Sequence, residues 1–163
     1  MDRLKELRFV WLLMAAATVG FIWLQSTLST AESAATSDAV GEVVIPLVGG
    51  PTSPVGSFLD RFLRKIAHFS EFALLGAEGE MFLFGRHTVR RTALLATAGL
   101  AVGALDETLQ IVTGRGAAVI DVLIDFSGFL FGVGLAFALA KAAILIYNKR
   151  KANAPCGVTN DNA

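Results

Sequence analysis

Between residues 9 and 24 the chain carries no charged side chain, and the weakly polar Gln25, Ser26 and Thr27 carry the run on to Leu28. About 20 residues of that character are what an α-helix needs to cross the hydrocarbon core of a bilayer. Two further runs of the same kind follow at residues 92–112 and 119–147. In hydrocarbon every backbone N–H and C=O must be satisfied internally, and such segments fold as helices. Charged residues make up 17% of the chain, against about 25% in a soluble domain. The fold class expected is therefore all-α, an integral membrane four-helix bundle.

The remaining composition excludes several function classes. With 14 Lys+Arg against 14 Asp+Glu and no basic block, the chain lacks the electrostatic footprint of a nucleic-acid partner. A single cysteine, Cys156, excludes an intrachain disulfide framework and any cysteine-based zinc site. There is no phosphate-binding glycine loop ahead of a helix, no Gly-x-Ser-x-Gly and no His-Glu-x-x-His, and no internal repeat is visible. No cofactor motif is evident.

Trp11 and Trp23 bracket the first run as an interfacial aromatic belt would. Arg3, Lys5 and Arg8 before it and Ser29-Thr30-Ala31 after it also fit a cleaved secretory signal. The run exceeds the ~7–15 residues of a signal core, which favours a retained helix. Residues 29–57 read as a loop rich in small and polar residues, with a turn signal at Gly49-Gly50-Pro51-Thr52-Ser53-Pro54 that no helix would tolerate, and with no Lys or Arg. Within it, Val43-Val44-Ile45 and Leu47-Val48 fit either a short strand or a surface-lying segment.

Residues 58–84 are apolar only in stretches. At about 100° per residue, however, Arg61, Arg64, Lys65, His68, Glu71 and Glu78 share an arc of roughly 140°. Phe62, Leu63, Ile66 and Ala73 lie opposite, and Glu80 lies off the arc near the inner interface. Such a helix spans a membrane if its polar stripe faces protein; an interfacial amphipathic helix is the alternative.

Basic residues gather at the N-terminus, in the 85–91 loop and after Tyr147, whereas 29–57 has none and 113–118 has only Arg115. The positive-inside rule then puts both termini and the 85–91 loop in the cytoplasm. The expected division is an N-terminal transmembrane helix (1–28), an extracytoplasmic loop (29–57), a three-helix transmembrane core (58–148) and a cytoplasmic tail (149–163), in a multi-pass protein of the cytoplasmic (inner) membrane.

That orientation gathers the charges. Lys65, His68 and Glu71 fall in the outer half of the second helix, Asp106, Glu107 and Gln110 at the outer end of the third, Arg115 in the outer turn, and Asp121 and Asp125 at the start of the fourth. Spacings of three and four keep each set on one face. Asp121, Asp125, Gly128 and Gly132 share a face, and Gly128/Gly132 form a small-xxx-small pattern for close helix approach; Asp125, Gly128 and Gly132 are accordingly read as structural. His87, in the basic loop, reads as solvated or headgroup-facing.

One role for this cluster is a structural lock, with Lys65 and Arg115 against Glu71, Asp106 or Asp121. Yet Glu71, Asp106, Glu107, Asp121 and Asp125 outnumber Lys65, Arg115 and a protonated His68, even with Arg61 and Arg64 at the mouth. The excess calls for protonation, water, a bound cation or a cationic substrate group. His68 beside carboxylates suits acid–base work or a divalent cation, although acids from three helix ends match no metal-binding signature.

From Lys65 to Gly132 the chain resembles the VanZ-like family of bacterial membrane proteins. The resemblance rests on Lys65-Ile66-Ala67-His68-Phe69-Ser70-Glu71-Phe72, Asp106-Glu107-Thr108-Leu109-Gln110, Gly114-Arg115, Asp121 and Gly128. Asp125 stands where the family often has asparagine, Ala117-Ala118 replace small hydroxyl residues, and Phe72 replaces an aromatic bearing a hydroxyl. The resemblance implies a cell-envelope membrane protein similar to one associated with antibiotic resistance, to teicoplanin and related glycopeptides, without implying that this chain confers it. Three functions are then open. In an outward-facing enzyme acting on a lipid-linked or cell-surface substrate, His68 or Glu71 is the base, Lys65 and Arg115 hold an anionic head group, and Asp106, Glu107 and Asp121 orient it or bind a cation, with Gln110 in the same polar cluster. In a non-catalytic protein, the same site binds membrane lipid, a lipid-linked envelope precursor or a glycopeptide. A small ion-coupled transporter is the third, opposed by the apolar inner halves of the third and fourth helices and favoured only by Glu78.

Overall fold

The computed structural model describes residues 2–27, 54–114 and 119–153. These form four helices: α1 (Asp2–Thr27), α2 (Pro54–Leu83), α3 (Val89–Val112) and α4 (Val119–Ala152). The chain is all-α over this range. The 43–48 segment, Arg115 and Cys156 lie outside the described residues.

Helix boundaries follow local chemistry. α2 begins at Pro54, four residues before the expected start at 58, because a proline in the first turn has its φ already set for a helix and no N–H to leave unpaired. The helix therefore takes in Pro54, expected to close the turn, and residues 55–57, expected in the loop. α3 starts where the Thr88 side chain accepts a hydrogen bond from Arg91 N–H at 3.3 Å. The turns after α2 and α3 use Gly85 (φ 74°) and Gly114 (φ 76°), left-handed positions that glycine adopts without steric cost. α4 runs past Tyr147 to include Lys149, Arg150 and Lys151 in its last turn, where positive charge complements the helix dipole.

Three helical segments are long and apolar enough to cross a membrane: Leu7–Thr27, Val89–Val112 and Val119–Ala152. α2, with 30 residues, is about 45 Å long at 1.5 Å per residue. It is the most charged helix and the one its neighbours cover. It packs chiefly against α4 and α1. Ile22, Phe72, Leu75 and Phe129 form the buried apolar core, from α1, α2 and α4.

The pairing of α2 with α4 is backbone against backbone. A Cβ on Gly128 would strike the carbonyl of Phe69, one on Gly132 that of Ala73, and one on Gly76 that of Phe129. The polarity pattern is the reverse of a water-soluble domain. Leu13, Leu94, Ile120 and Leu145 are more than half exposed, while Glu78, Glu80, Asp106 and Asp125 are 3% exposed or less. Apolar surroundings reconcile the two observations, because they favour outward leucines and force carboxylates inward.

Candidate functional site

α1 takes up one edge of the polar stripe on α2. Thr18 Oγ1 donates to Glu78 Oε1 at 3.1 Å, and Gln25 Nε2 to Glu71 Oε1 at 3.4 Å. Glu71 therefore faces α1 rather than the open side of the cluster. The other edge of the stripe, Lys65 and His68, faces α4. Lys65 Nζ lies 2.6 Å from Asp121 Oδ1.

At the centre stands His68. Its Nδ1 is 3.7 Å from Asp106 Oδ2 and 3.8 Å from Asp125 Oδ1. Asp106, fully buried, is fixed from two sides: Ser26 Oγ donates to its Oδ1 at 2.5 Å and Gln110 Nε2 to its Oδ2 at 2.9 Å. Thr113 Oγ1, which donates to the Ser26 carbonyl at 3.2 Å, ties the end of α3 to the end of α1. Residues from all four helices thus meet at one end of the structure.

A pocket of about 350 Å³ opens onto this meeting point. Arg61, Arg64, Lys65 and His68 of α2 form one wall, Asp121, Ile124 and Asp125 of α4 another, and Gln110 of α3 contributes as well. Asp106 lies behind His68. Of the residues singled out in the sequence, Arg61, Arg64, Lys65, His68, Gln110, Asp121 and Asp125 line the pocket directly. Glu71 and Glu107 do not; Glu107 is buried at 6% exposure. Gly128 and Gly132 pack against α2. Asp125, grouped with those glycines in the sequence, has its carboxylate in the pocket beside His68. The position of Arg115 is not described.

Two features were not expected. Ser26 and Gln25 reach the cluster from α1, although in sequence they only extend an apolar run. The signal is their position: Thr18, Ile22, Gln25 and Ser26 recur at i, i+4, i+7 and i+8, one face of a helix. At the far end of α2, His87 Nε2 lies 3.1 Å from Glu80 Oε1, and its ring meets Phe137 edge-on at 5.6 Å. His87 is thus engaged by protein rather than merely solvated, because Glu80, 3% exposed, needs a partner.

The family model for VanZ/LLP1 matches residues 9–141. The chain belongs to the VanZ/LLP1 family. The match extends well beyond the Lys65–Gly132 region of motif resemblance and takes in most of α1. The helix that supplies Ser26, Gln25 and Thr18 is therefore part of the VanZ/LLP1 unit. No curated protein and no solved structure matches the chain.

Proposed function

We propose that this VanZ/LLP1 protein is a four-span protein of the cytoplasmic membrane, with both termini inside, whose pocket opens outward and binds the anionic headgroup of a lipid-linked or cell-surface substrate. The pocket carries this proposal: Arg61, Arg64 and Lys65 stand on the same wall as His68. Guanidinium forks and an ammonium are the groups that hold phosphate oxygens. The open volume, about 350 Å³, suits a headgroup with its lipid tail left in the bilayer.

The topology is supported by the charge distribution. Arg8, Arg86, Arg90, Arg91 and the Lys149-Arg150-Lys151 run belong to the end opposite the pocket, and Arg8 reaches the Phe84 carbonyl there at 3.3 Å. α2 completes the fourth span, with α1 giving Glu71 and Glu78 one hydrogen bond each. The hydrogen bonds from Ser26 and Gln25 support a retained first helix, since a cleaved one would remove them. The division into residues 1–28, 29–57, 58–148 and 149–163 remains the proposed organisation, with the third segment lengthened at its start to Pro54.

Within the pocket His68 is the acid–base group. Its imidazole lines the cavity, whereas Glu71, the other candidate, is turned to α1. Asp106 and Asp125 stand 3.7 and 3.8 Å from its Nδ1 and would orient the ring.

A labelled-lipid assay on purified protein tests this proposal, with polyprenyl phosphates, phospholipids and glycopeptides as ligands. Phosphate-bearing lipids are expected to bind, and Arg61→Gln with Arg64→Gln to weaken binding about tenfold or more, the loss of a charge-assisted contact. Turnover lost in His68→Ala with binding kept would establish an enzyme. Binding without turnover would instead favour a protein that sequesters a lipid or glycopeptide and alters access to the surface. Equal binding of a polyprenyl phosphate and its phosphate-free alcohol would refute the proposal.

A further inference from the structure

We infer that His68, Asp106 and Asp125 form a binding site for one divalent first-row transition-metal ion, Zn²⁺ or Mn²⁺, at the base of the pocket. One donor atom from each, an imidazole nitrogen and two carboxylate oxygens, lie within 4.8 Å of one another. The nitrogen stands 3.7 and 3.8 Å from the two oxygens. Ligands at ~2.1 Å from a tetrahedral ion are separated by ~3.4 Å. The nitrogen is therefore within a few tenths of an ångström of ligand spacing from each oxygen, and the two oxygens, within 4.8 Å of one another, would close by up to about 1.4 Å around a shared ion.

Asp125 points to a missing ligand. It is 2% exposed, and its carboxylate accepts no hydrogen bond among the described residues; its ion-pair partner there is His68 at 3.8 Å. A buried carboxylate in that condition is costly, and here a second one, Asp106, shares the same imidazole. Lys65 does not relieve them, because its ammonium is 2.6 Å from Asp121. A dication between the carboxylates would balance their charge and supply the bonds that Asp125 lacks among the described residues.

The surroundings fit a metal ligand shell. Ser26 and Gln110 hydrogen-bond to Asp106 and fix its plane, as outer residues do for ligating carboxylates. One imidazole with two carboxylates suits Zn²⁺ or Mn²⁺ better than a hard ion taking oxygen alone. With three protein ligands and the pocket on the open side, further coordination positions would face water or substrate, the pattern of an exchangeable rather than a closed structural ion.

The ion site stands on these three side chains and does not depend on the headgroup proposal; a bound ion would occupy the His68 Nδ1 lone pair and take over the acid–base role given to that imidazole, and the test separates the ion site from the headgroup site. Full-length, tag-free protein in nanodiscs is stripped with chelator and titrated with Zn²⁺, Mn²⁺ or Mg²⁺, and bound metal is measured by mass spectrometry. The expected result is about one Zn²⁺ or Mn²⁺ per chain, little Mg²⁺, and affinity reduced at least ~10-fold in Asp125→Asn. Should that variant fail to fold, His87→Gln decides, because His68 is then the sole histidine of the two in the chain. Pulsed electron paramagnetic resonance of bound Mn²⁺ should show one directly coordinated nitrogen. A wild-type stoichiometry near zero, unchanged affinity in folded Asp125→Asn, or no nitrogen coupling would overturn the inference. Metal binding without phosphate-lipid binding would refute the headgroup proposal alone; lipid binding without metal would refute only the ion site.

Discussion

The same substitution, made two residues apart on α4, should change stability in opposite directions. A Cβ added at Gly134 meets nothing within 4 Å. Gly134→Ala therefore gains the helix-propensity difference, about 0.5–1 kcal/mol. At Gly132 the new Cβ would run into the carbonyl oxygen of Ala73 and lie 2.6 Å from its carbon and 2.9 Å from its Cα. Carbon–carbon contacts are comfortable at about 3.5–4.0 Å, so α4 must retreat from α2 by roughly 1 Å, and a gap of that size forfeits a quarter to a half of each dispersion contact nearby. Overpacking costs about 1–3 kcal/mol, and the upper part of that range applies because the obstacle is backbone. Less the propensity gain, Gly132→Ala should lose about 1–2 kcal/mol, a factor of roughly 5–30 in the folding equilibrium. Unfolding by sodium dodecyl sulfate in mixed micelles, followed by tryptophan fluorescence, measures both variants. A stabilised or neutral Gly132→Ala would refute the close approach of α2 and α4.

Ser26→Ala removes the hydroxyl donor from the buried carboxylate of Asp106; micelle unfolding should show a loss of about 1–3 kcal/mol, whereas Ser70→Ala, whose hydroxyl only returns to its own helix at Ile66 and Ala67, should lie within ~0.5 kcal/mol of wild type. A double-mutant cycle on Lys65→Ala and Asp121→Ala should give a coupling of only ~0.2–1 kcal/mol, because both side chains are more than a third exposed; a coupling above ~3 kcal/mol would mean the pair is a buried lock instead. His87→Ala strips the ion-pair partner from Glu80 and should lower the unfolding free energy by ~1–3 kcal/mol, an effect that the additional change Glu80→Met should largely restore.

How far the sequence could be read depended on how each residue's neighbours are chosen. The three apolar helices follow from runs of residues, a local property, and the polar arc of α2 follows from helical spacing. The glycine face of α4 was legible for the same reason, since Gly128 and Gly132 lie one turn apart. Partners across helices were harder. Nothing local to α1 says that Ser26 will meet Asp106, because a serine satisfied by its own backbone and one aimed at a neighbour look alike in sequence. Glu71 was grouped with His68 by its spacing of three, yet a 140° stripe is wide enough to serve two neighbours. Its edges separate, Glu71 and Glu78 toward α1 and Lys65 and His68 toward α4. Asp125 could be read both ways in sequence, with the cluster by its depth and with the packing glycines by its face; the position of α3, bringing Asp106 to the same imidazole, decides for the cluster.

The measurement that bears most directly on the pocket is photo-crosslinking with a diazirine-bearing polyprenyl phosphate in nanodiscs, mapped by peptide mass spectrometry. Crosslinks should concentrate between Arg61 and His68 of α2 and between Asp121 and Asp125 of α4, the segments that line the pocket. Unlabelled polyprenyl phosphate should displace them and the phosphate-free alcohol should not. Crosslinks spread over the lipid-facing leucines of α1 and α4, and displaced equally by the alcohol, would contradict an anionic-headgroup site.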